Sequence, residues 1–102
     1  MLRFRNTLTG ELEPFIPLEE GRVRIYACGP TVWNFAHIGN FKTFVFYDVL
    51  RRYMRFRGFE VTEVMNVTDV DDRIIEQTIE LKLSLEELTT KYLNFFLEDM
   101  AT

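Results

Sequence analysis

The chain has 102 residues, of which 47% are hydrophobic and 15% aromatic, so it can build a packed core and is not predicted to be disordered. Its net charge of −4 argues against a free-standing nucleic-acid binder, and no stretch approaches the roughly 18 apolar residues of a membrane span. The start lacks the apolar run of a signal peptide, and the single cysteine, Cys28, excludes an intramolecular disulfide. We therefore expect a soluble protein of the reducing cytoplasm, with no membrane partner.

The charge is distributed unevenly along the chain. Residues 1–57 contain nine lysines and arginines and five acidic residues, a net charge of +4. Residues 58–102 contain three lysines and arginines and eleven acidic residues, a net charge of −8. The basic half is therefore the part suited to meet phosphate groups.

The first predicted elements are short and extended. Residues 3–8 and 11–18 are separated by a Thr9-Gly10 turn signal. Residues 23–27 are rich in β-branched and aromatic side chains and predict a strand. A Gly29-Pro30 pair then ends the strand and begins a loop.

A long helix is predicted over residues 38–57. Apolar residues at helical spacing share one of its faces: Phe41, Val45, Val49 and Tyr53. Aromatic residues of a helix generally pack in the core, which predicts burial of Phe41, Phe44 and Phe46. Gly58 follows, and glycine suits the left-handed position just past a helix end.

The second half predicts a strand over residues 59–67, a helix over 72–81, and a last helix from a capping box at Ser84 to about residue 99. The predicted buried face of the last helix consists of Leu85, Leu88, Tyr92, Phe95 and Phe96. A strand–helix–strand unit of this length predicts a right-handed crossover between parallel strands, hence an α/β fold. One unit makes a narrow sheet, so further chain or a partner is expected to cover it.

The densest chemical signal lies between the first long strand and the first long helix. Ligands of open parallel sheets bind at the carboxyl ends of strands, and a helix start offers free N–H groups to phosphate. His37 and Asn40 are three residues apart and point the same way, while Gly39 leaves space for a flat adenine. From the residues alone, two interpretations of His37 stay open, a phosphate-binding residue and a helix cap or satisfied surface histidine, of which the second is the more common at a helix start. The sequence contains neither a P-loop nor a dinucleotide-binding fingerprint.

Four ordered blocks then carry a resemblance that spans nearly the whole chain. His37-Ile38-Gly39-Asn40 resembles the HIGH signature of class I aminoacyl-tRNA synthetases, with Asn40 in place of the second histidine. Cys28-Gly29-Pro30-Thr31-Val32 before it is most similar to the cysteinyl-tRNA synthetases. Residues 66–75 and the opening Asn6-Thr7-Leu8-Thr9 are also similar to that family.

The resemblance implies a Rossmann-like class I nucleotide-binding fold, a parallel sheet with flanking helices. Residues 1–102 would be the N-terminal portion of the catalytic domain, with the remainder of that domain and the anticodon-binding domain absent. ATP and L-cysteine would form cysteinyl-adenylate, and the cysteinyl group would then pass to tRNA(Cys). The full enzyme is expected to be a monomer.

The resemblance also implies the site residues. The ATP-binding residues would be Pro30, Thr31, His37, Gly39 and Asn40, among which His37 and Asn40 would be catalytic and hold the phosphates. The residues that bind the substrate cysteine would be Cys28, Gly29, Thr31 and Thr68. Cys28 would also be a ligand of Zn²⁺, which favours a thiolate over the hydroxyl of serine, and Mg²⁺ would accompany ATP. The other zinc ligands and the KMSKS loop of this family lie outside the sequence, so the chain alone is expected to be inactive.

Several alternatives stay open. A related ligase that joins cysteine to an amino sugar would share these residues, and a non-catalytic nucleotide-binding or structural domain is the rival from another class. Asp69, Asp71 and Asp72 fit either a magnesium cluster or the capped start of a helix. The arginines at positions 51, 52, 55 and 57 fit either contacts to the tRNA backbone or a solvated helix end.

Overall fold

The computed structural model describes residues 2–102, and the predicted succession of elements is confirmed. None of the helices within this range is long and apolar enough to cross a membrane. The elements are β1 (Arg3–Arg5), β2 (Leu12–Pro14), β3 (Arg22–Ala27), α1 (Ile38–Phe56), β4 (Glu60–Met65), α2 (Asp72–Leu81) and α3 (Leu85–Met100).

The two short strands at the start form an antiparallel hairpin. β1 pairs with β2 in a register that places Phe4 opposite Glu13. Gly10 lies in the turn with a φ of 76°, a left-handed conformation that favours glycine. The predicted extended segments are therefore present, although the paired part of each is only three residues long.

A parallel pair of strands forms the centre of the fold. β3 and β4 align from Arg22 opposite Glu60 to Ala27 opposite Met65, and α1 connects them along the chain. The α/β class is thereby confirmed, with a small parallel sheet and helices. Within residues 2–102 this sheet has two strands, so the wider Rossmann-like sheet is not seen there.

Two apolar clusters stabilise the chain. In the first, the buried side chains Val23, Met54 and Val61 join α1 to both strands, and the hairpin packs against them. In the second, Val32 from the loop after β3 packs against the buried residues of α2 and α3, namely Ile74, Leu88 and Tyr92. The loop that follows β3 is therefore fixed to the C-terminal helices.

The predicted core of the helices is partly wrong. In α1 Phe44 is buried and Phe41 half-buried, but Phe46 is 59% exposed, and Val45, Val49 and Tyr53 are exposed as well. In α3 Leu88, Tyr92 and Phe96 are buried as predicted, whereas Leu85 and Phe95 remain partly exposed. The physical reason is that a two-stranded sheet covers a narrow stripe of α1, and α2 covers one side of α3.

The arginines near the end of α1 differ in their surroundings. Arg51 forms ion pairs with Asp48 and, at 3.6 Å, with Glu63, while Arg52 pairs with Asp48 at 2.8 Å. The hydrogen bond from Arg52, followed by that from Arg51, holds the pKa of Asp48 below its usual value. Arg51 therefore contributes to the contact between α1 and β4, which the prediction of a solvated helix end did not include.

Replacement of Ile74 by Ala should destabilise the chain. The side chain of Ile74 has 0% exposure in the second cluster, so its truncation leaves a cavity and should cost about 2–5 kcal/mol. Ile79 lies on the same helix and is 74% exposed, so Ile79→Ala is the matched control and should change stability by less than about 0.5 kcal/mol. Urea unfolding followed by circular dichroism measures both, and equal losses would contradict this assignment of the core.

Candidate functional site

The candidate site begins where the two parallel strands end. Because β3 and β4 are parallel, their last residues, Ala27 and Met65, lie at the same edge of the sheet. The pairing continues into the loops, where Thr68 N–H donates to the Pro30 carbonyl at 2.9 Å and Val32 N–H donates to the Thr68 carbonyl at 3.1 Å. The two loops therefore form one connected rim beyond the strands.

Gly29 is at the closest point of this rim. Its N–H donates to Asn66 Oδ1 at 2.6 Å. A Cβ atom at this position would lie 1.8 Å from the Asn66 carbonyl oxygen and 2.7 Å from Met65 Cγ. The loops can approach this closely because Gly29 has no side chain.

Cys28 follows β3 directly and its side chain is exposed. It adjoins Gly29, which lines the cleft described below. Among residues 2–102, no three His, Cys, Asp or Glu side chains come together as metal ligands would. Since a zinc site requires about four ligands, the described residues fit a single ligand position and do not complete a site.

The start of α1 is closed by a reciprocal pair of hydrogen bonds between His37 and Asn40. His37 Nδ1 accepts from the Gly39 N–H at 3.0 Å, and Asn40 Oδ1 accepts from the His37 N–H at 3.0 Å. The histidine is thus a helix N-cap, one of the alternatives that the sequence left open. Because Nδ1 accepts, the ring proton is on Nε2, and neither this N–H nor the Asn40 amide N–H₂ has a partner among the described residues.

Gly39 makes room for this cap. A Cβ at this position would lie 2.8 Å from His37 Cε1 and 3.0 Å from His37 Nδ1. The structure thus gives a local reason for a glycine here: the space beside its backbone holds the imidazole ring. The role predicted from the sequence, close approach of an adenine, stays a prediction.

A cleft of about 250 Å³ lies between the rim, the start of α1, and the helices α2 and α3. Of the predicted site residues, five line it together: Gly29, Pro30, Thr31, His37 and Asn40. Three predicted residues do not line it: Cys28, Gly39 and Thr68. Each of these three is adjacent to a lining residue, either along the chain or, for Thr68, through the hydrogen bonds of the rim.

The far wall of the cleft is aromatic and was not predicted as part of the site. Phe35 meets Tyr92 edge-on with ring centroids 5.2 Å apart, and Phe44 meets Phe96 likewise at 5.1 Å. Helical spacing marked the residues of α3 as a buried face, but it did not show that the loop after β3 packs there.

Arg73 is a further lining residue that the site prediction missed. Its guanidinium carbon lies 5.7 Å from the centre of the Trp33 ring, and its Nη2 pairs with Asp71 at 3.2 Å. Arg73 and Trp33 are forty positions apart, and the packing of α2 on the rim brings them together. No local sequence pattern signals this contact.

Asp71 caps the start of α2. Its Oδ1 accepts from the Ile74 N–H at 2.9 Å, and this bond above all holds the pKa of Asp71 below its usual value. The capping alternative is therefore confirmed for Asp71. Asp69, Asp71 and Asp72 do not form a cluster of metal ligands in the part of the chain that the structure describes.

Comparison with known proteins adds the family. The sequence model of the family described as tRNA synthetases class I (C) catalytic domain matches residues 14–102. The chain belongs to this family. Membership in the class I synthetase family confirms the resemblance drawn from the four sequence blocks.

Similar members of the class I synthetase family are cysteine–tRNA ligases. The chain is 52% identical over 97% of its length to the one from Ligilactobacillus salivarius and 50% identical over 97% to the one from Thermococcus onnurineus. It spans 21% of the length of each of these two proteins. A cysteine–tRNA ligase from Staphylococcus xylosus is 48% identical over 98% of the chain, which covers 85% of that protein.

Replacement of Gly29 and of Gly39 by Ala should have different consequences. At Gly29 the new Cβ meets backbone, so we expect a loss of about 1–3 kcal/mol. At Gly39 it meets a ring that can rotate away, and the gain in helix propensity of about 1 kcal/mol offsets a similar loss of capping. Urea unfolding compares the two variants with the native chain. A Gly29→Ala variant as stable as the native chain would contradict the close packing of the rim.

Proposed function

We propose that this chain is part of an enzyme that uses ATP to join L-cysteine to tRNA(Cys) through a cysteinyl-adenylate intermediate. The observation that carries the proposal is one cleft lined by both the rim next to Cys28 and the His37–Asn40 helix start. The relatives named above support the choice of amino acid and acceptor, since each is called a cysteine–tRNA ligase.

In this proposal, residues 1–102 form the N-terminal portion of a Rossmann-like class I catalytic domain. Two observations support further chain around the described pair of strands, one of whose faces is left uncovered. Tyr26 of β3 and Val64 of β4 are large apolar side chains and are 71% and 56% exposed. In addition, the chain spans about a fifth of the length of two of the relatives.

The phosphates of ATP would bind at the start of α1. His37 Nε2–H and the Asn40 amide are donors without a partner among the described residues, and the helix dipole adds a partial positive charge. Pro30 and Thr31 would border the nucleotide from the rim, and Gly39 would lie beneath the adenine. The capping box holds both donors in place before ATP arrives, which suits a reaction that depends on positioning and charge. Mg²⁺ would accompany the ATP.

The substrate cysteine would bind at the rim, against Gly29, Thr31 and Thr68. Cys28 would provide one ligand of a zinc ion whose other ligands come from outside residues 1–102. When bound, zinc would supply a preference for thiolate sulfur over a neutral hydroxyl, a distinction that an apolar pocket makes poorly. The contribution of this chain is the exposed thiol at the end of β3, next to the cleft.

The working enzyme would be a cytoplasmic monomer, and residues 1–102 alone would be inactive. A ligase that joins cysteine to an amino sugar would share the activation step. The names of the relatives favour tRNA as the acceptor.

The role of His37 is tested in a chimera in which this chain replaces the matching 99 residues of the L. salivarius enzyme. Cysteine-dependent exchange of pyrophosphate into ATP measures adenylate formation. His37→Asn should lower this exchange on the order of 100-fold, because the shorter asparagine amide does not reach the position of the imidazole Nε2–H beside the developing phosphate charge. Asparagine is a good N-cap, so the unfolding midpoint should stay near that of the unsubstituted chimera.

The control for His37 is Ser84→Ala, which removes the N-cap of α3 and leaves the cleft intact. This variant should lose about 1 kcal/mol of stability and retain its exchange rate. A chimera without cysteine-dependent exchange would contradict the proposed function. Full exchange in His37→Asn would contradict the role of the imidazole.

The role of Cys28 is tested in the same chimera by Cys28→Ser. The variant should bind less zinc, measured as metal content after dialysis, because a thiolate ligand is replaced by a weaker one. Its preference for cysteine over serine in the exchange assay should fall at least about tenfold. Cys28 is exposed, so serine fits without strain, and the unfolding midpoint measured with zinc removed by a chelator should not change. Unchanged zinc content would exclude Cys28 as a ligand.

A further inference from the structure

Arg73 faces the cleft in an arrangement that the proposed function does not use. Its guanidinium lies over the Trp33 ring, and both residues line the cleft together with His37 and Asn40. An indole face holds a guanidinium through the ring electrons and leaves the N–H donors free. The contact therefore keeps a cation at the cleft wall without consuming its hydrogen bonds.

The hydrogen bonds of Arg73 leave part of the guanidinium available. Nε and Nη2 both donate to the same oxygen, Asp71 Oδ2, at 3.3 Å and 3.2 Å. A guanidinium has five N–H groups, and within residues 2–102 no acceptor bonds to Nη1 of Arg73. The edge formed by Nη1 and Nη2 is therefore available to a ligand, and such an edge binds a carboxylate or a phosphate through two parallel bonds.

The charge of the cleft selects the kind of ligand. Among the described lining residues there is no acidic side chain, and Arg73 is the one with a permanent charge. His37 Nε2–H and the Asn40 amide add neutral donors to the same cleft. The carboxylate paired with this cation, Asp71, lies outside the lining, and a lining with one cation, several N–H donors and no carboxylate favours an anion.

We propose that Arg73 is a substrate-binding residue that pairs with an oxyanion in this cleft, either a phosphate group or a carboxylate. The inference rests on the proposed function, where ATP supplies phosphates and L-cysteine supplies a carboxylate. It adds a cation of this chain to the two neutral donors at the start of α1. Trp33 holds the cation from one side, and Asp71 holds its Nε–Nη2 edge, which leaves the Nη1–Nη2 edge for the ligand.

Trp33 is the single tryptophan of the chain, so its fluorescence reports on this contact. The 102-residue chain is titrated at low ionic strength with inorganic pyrophosphate, L-cysteine and cysteamine, which is cysteine without its carboxylate. At least one of the two oxyanions should change the emission saturably, and Arg73→Gln should weaken its binding about tenfold or more. If Arg73→Gln weakens the binding of pyrophosphate, the site is a phosphate site. If Arg73→Gln weakens the binding of L-cysteine and does not change that of cysteamine, the site is a carboxylate site.

Two further variants separate binding from a structural role. Arg57 lies over the Tyr53 ring at 5.9 Å and does not line the cleft, so Arg57→Gln removes the same charge elsewhere and should leave binding unchanged. Asp71→Asn keeps an N-cap and releases the second edge of the guanidinium, so it should tighten binding. Opposite effects at positions 71 and 73 are not expected of residues that only stabilise the fold.

The inference is overturned if the native chain shows no saturable response to either oxyanion, or if Arg73→Gln binds both within twofold of the native chain. These outcomes are separate from those of the chimera. Exchange by the chimera together with binding that ignores Arg73 would leave the proposed function intact and remove Arg73 from the site. Arg73-dependent anion binding together with an inactive chimera would support the role of Arg73 and contradict the proposed function.

Discussion

The candidate site depends on the fact that β3 and β4 continue to pair after the strands end. Backbone hydrogen bonds from Val32 and Thr68 join the two loops. The loops can come this close because Gly29 has no Cβ atom, which would lie 1.8 Å from the Asn66 carbonyl oxygen. With these bonds in place, the exposed Cys28 and the lining residues Gly29 and Thr31 are held at one edge of the sheet. Without them, the loop after β3 would lose one of the two sets of contacts that fix its path from the strand to the helix start.

The second apolar cluster gives this loop its other anchor. Val32 is buried against Ile74 and Leu88, so the segment that passes the cleft is held by hydrogen bonds on one side and by apolar packing on the other. The stability of α2 and α3 is therefore coupled to the shape of the cleft. Substitutions of the buried residues that pack against Val32 are expected to affect ligand binding through the loop.

Stability and binding share the same groups at the start of α1. His37 Nδ1 completes the cap, and the opposite nitrogen of the same ring remains free to donate. Because the cap fixes the ring, little ordering is left to occur when a ligand binds, and this reduces the entropic cost of binding. The two interpretations of His37 that the sequence left open are thus compatible in one conformation.

The sequence by itself determined the order of the elements, the α/β class, the start of α1 and the family. These features follow from local periodicity, capping residues and motifs, all of which act over a few positions along the chain. The tertiary structure decided which apolar residues are buried, since Phe46 and Phe44 have similar local patterns and differ in what covers them. It also decided that Arg73 meets Trp33 and that Tyr92 and Phe96 close the cleft, because contacts between distant segments depend on how the helices pack.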